Sequence, residues 1–280
     1  MYEERPSPVV PGAVLWRAGG SGGVVLPDGC MDLLWVDGRL LVAGPDTAAH
    51  PAGEVPGSGF AGIRLAPGTA PALLGVPARV LRDRRVELAD LWPAAEVRRL
   101  AGRVASYEDP CAGLEELARL RAADGGPPDP LVTEVAARLR AGQGVAAVAG
   151  AVGLGERQLH RRALDAFGYG PRTLGRILRL QRALALTRRG LAQAAVAAAA
   201  GYADQAHYTR EVRALAGTTP GAYAARPAAG SAQAGAAQAE VTQAGVAQAG
   251  SAGPAVSPAP AAPAAAKRET PEPSGSRTTA

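Results

Sequence analysis

The chain is poor in cysteine and in long apolar runs, and each shortage excludes a class of protein. Two cysteines in 280 residues exclude a secreted scaffold held together by disulfides. No run approaches the roughly 20 apolar residues that cross a bilayer. The first eight residues carry acids and prolines where a signal peptide would be apolar. We therefore expect a soluble protein in the reducing cytoplasm, with no membrane partner.

Aromatic residues are also scarce, at 4%, but the hydrophobic fraction of 47% is sufficient for a packed core. The basic residues are nearly all arginine, because Lys267 is the one lysine among 30. The positive charge is concentrated in one segment: the net charge is −3 over residues 1–128, +8 over residues 129–226 and zero over residues 227–280. A basic segment beside an acidic one is typical of a protein in which a single domain binds a polyanion.

The region 1–122 is predicted to be rich in β-structure and closed by a helical pair. Short apolar runs separated by glycine and proline are typical of strands. They are Val24–Leu26, Leu33–Val36, Leu40–Ala43 and Ile63–Leu65. Asp37-Gly38 predicts a tight hairpin turn, since both residues tolerate a positive φ. Helical spacing of apolar residues predicts helices over 94–105 and 111–122.

Three further segments follow. Residues 123–130, rich in glycine and proline, predict a linker, and residues 131–226 have a helical pattern throughout. Residues 227–280, made mostly of alanine, glycine, glutamine, serine and proline, predict a disordered tail. The predicted fold class is therefore α+β: a β-rich N-terminal domain with closing helices, an all-α domain, and a disordered tail.

Within 131–226 one pattern occurs twice. A short apolar helix (145–152, then 194–200) is followed by a glycine, Gly153 or Gly201, and a second helix beginning near Glu156 or Asp204. Glycine in a tight turn between two helices is typical of the helix-turn-helix, whose second helix enters the major groove. Two copies indicate DNA binding far more strongly than one.

The second helix of each copy separates into an apolar face and an outward face. The outward residues are the predicted DNA-binding site: Arg157, His160 and Arg161 in the first copy, and Gln205, Thr209 and Arg210 in the second. Arginine can donate two hydrogen bonds to guanine, and glutamine can pair with adenine. Half or more of such contacts go to the DNA backbone, so a phosphate contact stays open for each arginine.

These motifs resemble a known family. The stretch GYADQAHYTREVRALAGTTPGAY (201–223) resembles the second helix-turn-helix and closing motif of the AraC/XylS family of bacterial transcription regulators. The segment FGYGPRTLGRILRLQRALAL (167–186) resembles the family's turn and linker helix. The resemblance implies a double helix-turn-helix domain that binds operator DNA, and RNA polymerase as a further partner.

The N-terminal region is similar to an uncharacterised domain that precedes this DNA-binding domain in actinobacterial regulators. The segments that carry the resemblance are 27–35, 43–47 and 62–78. By analogy this domain would sense an unknown small-molecule effector or mediate self-association as a homodimer.

No other group of residues indicates chemistry. Cys30, Asp28, Asp32, Asp46 and His50 fit no zinc-site spacing, so we interpret Cys30 as a buried apolar residue and the aspartates as turn residues. We expect no cofactor, no metal and no catalytic residue. The main hypothesis is a sequence-specific transcription regulator. The alternatives are a ligand-independent DNA binder whose N-terminal domain only dimerises, and an enzyme with an accessory DNA-binding domain.

Overall fold

The computed structural model describes residues 2–19, 23–52, 59–126 and 128–225. The first part of the chain forms an antiparallel sheet with short helices, and the second part is helical. The predicted α+β fold class is confirmed. The predicted tail, residues 227–280, lies outside the described residues.

Eight strands form the β-structure of the described residues. They are β1 (Tyr2–Pro6), β2 (Val14–Ala18), β3 (Val24–Val25), β4 (Met31–Val36), β5 (Arg39–Ala43), β6 (His50–Pro51), β7 (Phe60–Leu65) and β8 (Arg85–Glu87). Six of them form one antiparallel sheet in the order β1-β2-β7-β4-β5-β8, and β3 pairs with β6. The β4–β5 hairpin turns at Asp37 and Gly38, with φ of 46° and 79°, so the predicted turn is confirmed.

Ten α-helices follow or interrupt the strands in the part of the chain that the structure describes. They are α1 (Ala70–Leu74), α2 (Ala94–Ala105), α3 (Pro110–Gly125), α4 (Pro130–Arg140), α5 (Val145–Ala151), α6 (Glu156–Phe167), α7 (Pro171–Arg188), α8 (Gln193–Ala200), α9 (Gln205–Ala216) and α10 (Pro220–Ala224). Helix α3 continues to Gly125 and α4 begins at Pro130. The predicted linker 123–130 is thus too long at its start, because Ala123 and Asp124 extend the helix until the Gly125-Gly126 pair.

The N-terminal core lies between one face of the six-stranded sheet and helices α1 to α3. Leu15, Leu33 and Ile63 on adjacent strands are almost completely buried there, as are Leu114 and Ala118 of α3. The alternation of apolar residues along these strands places one side of the sheet in this core.

Helix α7 joins two separate cores in the helical part. Its first half contributes Leu174 and Ile177 to a core shared with α4, α5 and α6. Its second half contributes Leu180 and Leu184 to a core shared with α8, α9 and α10. One continuous helix therefore belongs to both cores.

The N-terminal part packs directly on the helical part. Leu26 lies in the core formed around α8 and α9, and the side-chain amide of Gln181 on α7 donates to the carbonyl of Pro27 at 2.6 Å. The backbone N–H of Ala49 donates to the carbonyl of Leu215 at 2.8 Å. Arg79 forms an ion pair with Asp165 at the C-terminal half of α6. Among the described residues no helix is long and apolar enough to span a membrane.

We predict that Leu180→Ala destabilises the protein by about 2–5 kcal/mol, because truncating a fully buried leucine leaves a cavity in a tightly packed core. Denaturant unfolding of the purified protein measures the change. Leu191→Ala is the matched control, since Leu191 is 37% exposed and should cost far less. An equal loss in the two variants would contradict the packing described for α7.

Candidate nucleic-acid interface

We call α5 and α6 the first helix pair, and α8 and α9 the second helix pair. The turns within the two pairs have the same geometry. Gly153 and Gly201 adopt φ of 68° and 82°. The residue after each glycine donates its N–H to the carbonyl five residues earlier, Leu154 to Ala149 and Tyr202 to Ala197, both at 2.9 Å. A left-handed residue is needed here, and glycine adopts that conformation without steric cost.

The second helix of each pair begins with a different cap. Asp204 accepts a hydrogen bond from the N–H of His207 at 2.6 Å and caps α9. Gly155 has no side chain to cap α6, but the side chain of Gln158 accepts from the N–H of Gly155 at 3.0 Å. Helix α6 thus keeps the half of a capping box that glutamine supplies.

In the first pair, Arg157, His160 and Arg161 are exposed, as the sequence predicts. They lie opposite the buried face formed by Leu159 and Ala163. The ring of His160 packs closely against Gly170, just before α7: a Cβ atom added to that glycine would lie 2.6 Å from the ring. His160 therefore lies on the flank of α6 that adjoins the start of α7.

In the second pair, the predicted residues are not equivalent. Arg210 is exposed on the outward face of α9. Gln205 is exposed but its side-chain amide donates to the side chain of Gln193 on α8 at 3.1 Å. Thr209 is half-buried and its hydroxyl donates to the carbonyl of Gln205 at 2.9 Å. Arg210 is thus the residue of this set most open to a partner.

Arg213 was not among the residues predicted from the sequence, yet it is exposed one turn beyond Arg210. Residues three apart lie on one face of a helix, so the spacing from Arg210 was the available signal.

Tyr208 holds helix α9 against α7. It is fully buried and shares a 2.7 Å hydrogen bond with the hydroxyl of Thr187 on α7. Burial raises the pKa of the Tyr208 hydroxyl.

The acidic residues of the N-terminal part surround a buried arginine. The guanidinium of Arg64 lies 3.2 Å from a carboxylate oxygen of Asp28 and 3.5 Å from one of Asp32. Burial raises the pKa of Asp28 to about 6. Asp32 lies within β4, so its predicted place in a turn is wrong: it faces Arg64 across the sheet, and the indole N–H of Trp16 donates to it at 2.6 Å.

Asp46, His50 and Cys30, the other residues considered for a metal site, make different contacts. Asp46 accepts two hydrogen bonds from Arg85, both at 2.7 Å, and His50 lies 3.2 Å from Asp46. Cys30 is buried, as predicted. In residues 2–19, 23–52, 59–126 and 128–225 no cluster of histidine, cysteine and carboxylate side chains could hold a metal ion.

Two family models match separate parts of the chain. A family described as a helix-turn-helix domain matches residues 148–226, and a domain of unknown function, DUF6597, matches residues 14–87. No curated protein sequence matches the chain.

Among solved structures, the fold is similar to that of ToxT from Vibrio cholerae. An apo single-residue variant of ToxT from strain SCE256 is 10% identical, with a TM-score of 0.41 over 76% of this chain and 96% of ToxT. ToxT from strain O395 is 10% identical, with a TM-score of 0.41 over 80% of this chain and 96% of ToxT. A further ToxT structure, bound to (E)-4-(8-methylnaphthalen-1-yl)but-3-enoic acid, is 9% identical, with a TM-score of 0.40 over 80% and 98% of the two chains.

The matched domain and the helical geometry define a DNA-binding transcription regulator. Its helix-turn-helix domain is of the AraC type and follows a DUF6597 domain, which confirms the family resemblance seen in the sequence.

We predict that Asp204→Ala lowers the free energy of unfolding by about 1 kcal/mol, because the first turn of α9 loses its cap. Thermal unfolding measures this loss as a lower Tm. Asp204→Asn is the control, since asparagine caps nearly as well as aspartate. If Asp204→Asn were as unstable as Asp204→Ala, the side-chain cap would not be the cause.

Proposed function

We propose that the protein is a sequence-specific regulator that reads DNA with both helix pairs, in two successive major grooves. The observation that carries this proposal is the repeated turn. Gly153 and Gly201 have the same conformation and the same hydrogen bonds, and one continuous helix, α7, links the two pairs. A rigid link between two reading helices suits contact with one side of a duplex, where major grooves recur about every 34 Å.

In this proposal the DNA-binding residues are Arg157, His160 and Arg161 on α6, and Gln205, Thr209 and Arg210 on α9. We assign the leading role in the second pair to Arg210, because it is exposed and its neighbours Gln205 and Thr209 are engaged in hydrogen bonds within the protein. Arg213 joins this face as a phosphate or base contact.

The N-terminal domain has a regulatory role in this proposal. It contacts both halves of the helical part: Arg79 pairs with Asp165 on α6, and Ala49 bonds to Leu215 on α9. A small-molecule effector or a second copy of the chain that changes the N-terminal domain would therefore act on both pairs. The effector, the homodimer and an RNA polymerase contact stay predictions.

Two alternatives differ in the role of the N-terminal domain. In the first, the protein binds DNA without a ligand and this domain only dimerises. In the second, the domain is an enzyme and DNA binding is accessory. A melting shift of the full chain with a ligand favours the effector, a concentration-dependent dimer without one favours the first alternative, and turnover of a substrate favours the second.

We predict that Arg210→Ala relaxes the sequence preference at one base position of the operator, with a cost of about 1–3 kcal/mol there. The measurement is binding selection on randomised duplexes with the wild type and with Arg210→Ala. The same experiment with Arg161→Ala should change a position in the other sequence block, about 10 base pairs away.

A phosphate contact would give a different result. A uniform loss of affinity on all sequences, with a salt slope reduced by about one, would assign Arg210 to the DNA backbone. If the wild type selects one short sequence block and no second block, reading by both helix pairs is contradicted.

A further inference from the structure

An open cleft of about 590 Å³ runs along helix α7 between the two helix pairs. Four arginines of α7, which we call the arginine row, line it: Arg172, Arg176, Arg179 and Arg182. Their spacing of four, three and three residues places them on one face of the helix. At 1.5 Å per residue the row is about 15 Å long.

The charge of the cleft is strongly positive. Of the described residues that line it, Glu211 is the one carboxylate, and it is paired with Arg176 at 3.0 Å. The lining arginines and Glu211 together carry +3. The Nε atoms of Arg179 and Arg182 are buried and have no hydrogen-bond partner within the described chain. These two atoms face away from solvent, but the charge of the four guanidinium groups favours an anion with several oxygen acceptors.

Both reading helices adjoin the cleft. At one end, Arg172 lies two residues after Gly170, on which His160 of α6 packs. Farther along the row, α9 adjoins the cleft at Arg176: His207 lines the cleft and lies 3.9 Å from Glu211, the partner of Arg176. His207 is three residues before Arg210, which places the two side chains about 60° apart around the helix. The cleft therefore opens beside both outward faces.

The N-terminal domain contacts the other side of α7. Gln181, which bonds to Pro27, is two residues after Arg179 and so points about 160° away from it around the helix. Leu174, which lies against Gly29, is on the Gln181 side as well. The N-terminal domain thus leaves the arginine row uncovered, with Arg172 exposed and the other three arginines half-buried.

A structural role explains only part of this arrangement. Arg179 and Arg182 donate to the carbonyls of Gly201 and Ala200, at 3.4 and 3.2 Å, and so help to cap the end of α8. Arg172 is exposed and, within the described chain, makes no such contact with α8, although it lines the same cleft. Capping therefore leaves the charge at the Arg172 end without a role.

We propose that the arginine row binds the sugar-phosphate backbone of the duplex where it passes between the two major grooves. This proposal rests on the proposed function, because it requires both helix pairs to face the same duplex. The row would fix the position of the protein on DNA without reading sequence, as phosphate contacts do.

The test compares Arg172→Gln and the double variant Arg172→Gln/Arg176→Gln with the wild type on the duplex that the wild type selects. The plot of log K against log salt should lose about 0.9 in slope for each phosphate contact removed. Base preference in the selection should stay unchanged. Arg99→Gln, on the exposed surface of α2, is the control with the same change of charge and should keep the full slope.

The double variant also removes the ion-pair partner of the largely buried Glu211, which lowers its stability. Arg172→Gln alone keeps the test valid if the double variant unfolds. A slope equal to that of Arg99→Gln would overturn the proposal. Saturable binding of inorganic phosphate to the row, with the DNA salt slope unchanged in the variants, would overturn it too and assign a free anion. If the wild type selects no pair of blocks, the proposed function fails instead.

Discussion

The structure depends on helix α7 being buried in two cores at once. Leu174 and Ile177 hold its first half against α6, and Leu180 and Leu184 hold its second half against α8 and α9. A bend between the halves would open one core, at a cost of several kcal/mol. An 18-residue helix is about 27 Å long, which is close to one turn of duplex DNA. The distance between the two outward faces is therefore set by hydrophobic packing.

The same helix connects the arginine row to the N-terminal domain. Its arginine row lies on one face, while Gln181 on the opposite face bonds to Pro27. Contacts at Asp165 and Leu215 add one attachment to each helix pair. A ligand-induced change in the N-terminal domain can reach the DNA-binding helices through these contacts, so such regulation would act on how α6, α7 and α9 are held together. The buried charges of this domain add a second constraint, because removing Arg64 would leave Asp28 and Asp32 uncompensated, which is far more costly than losing an exposed ion pair.

Local signals in the sequence were enough to predict much of this fold, but not the contacts between distant parts of the chain. The Asp37-Gly38 hairpin and the turn glycines Gly153 and Gly201 depend on conformations that few residues adopt, so their sequence marks them clearly. Thr209 shows the limit of this approach, since its place in the helical pattern predicts an outward face but its side chain is half-buried and its hydroxyl bonds to the helix backbone. The arginine row was present as a helical repeat within 172–182. The repeat alone does not predict that the row lines a cleft, because other walls of the cleft come from α8 and α9.

The spacing of the two sequence blocks in the selected duplex tests reading by both helix pairs most directly. Inserting five base pairs between them moves the second block about half a turn around the duplex while leaving both sequences intact. Because α7 holds the two pairs rigidly, we predict that affinity falls to that of a duplex with one block scrambled. Full affinity for the lengthened duplex would show instead that the two pairs do not read DNA at a fixed separation.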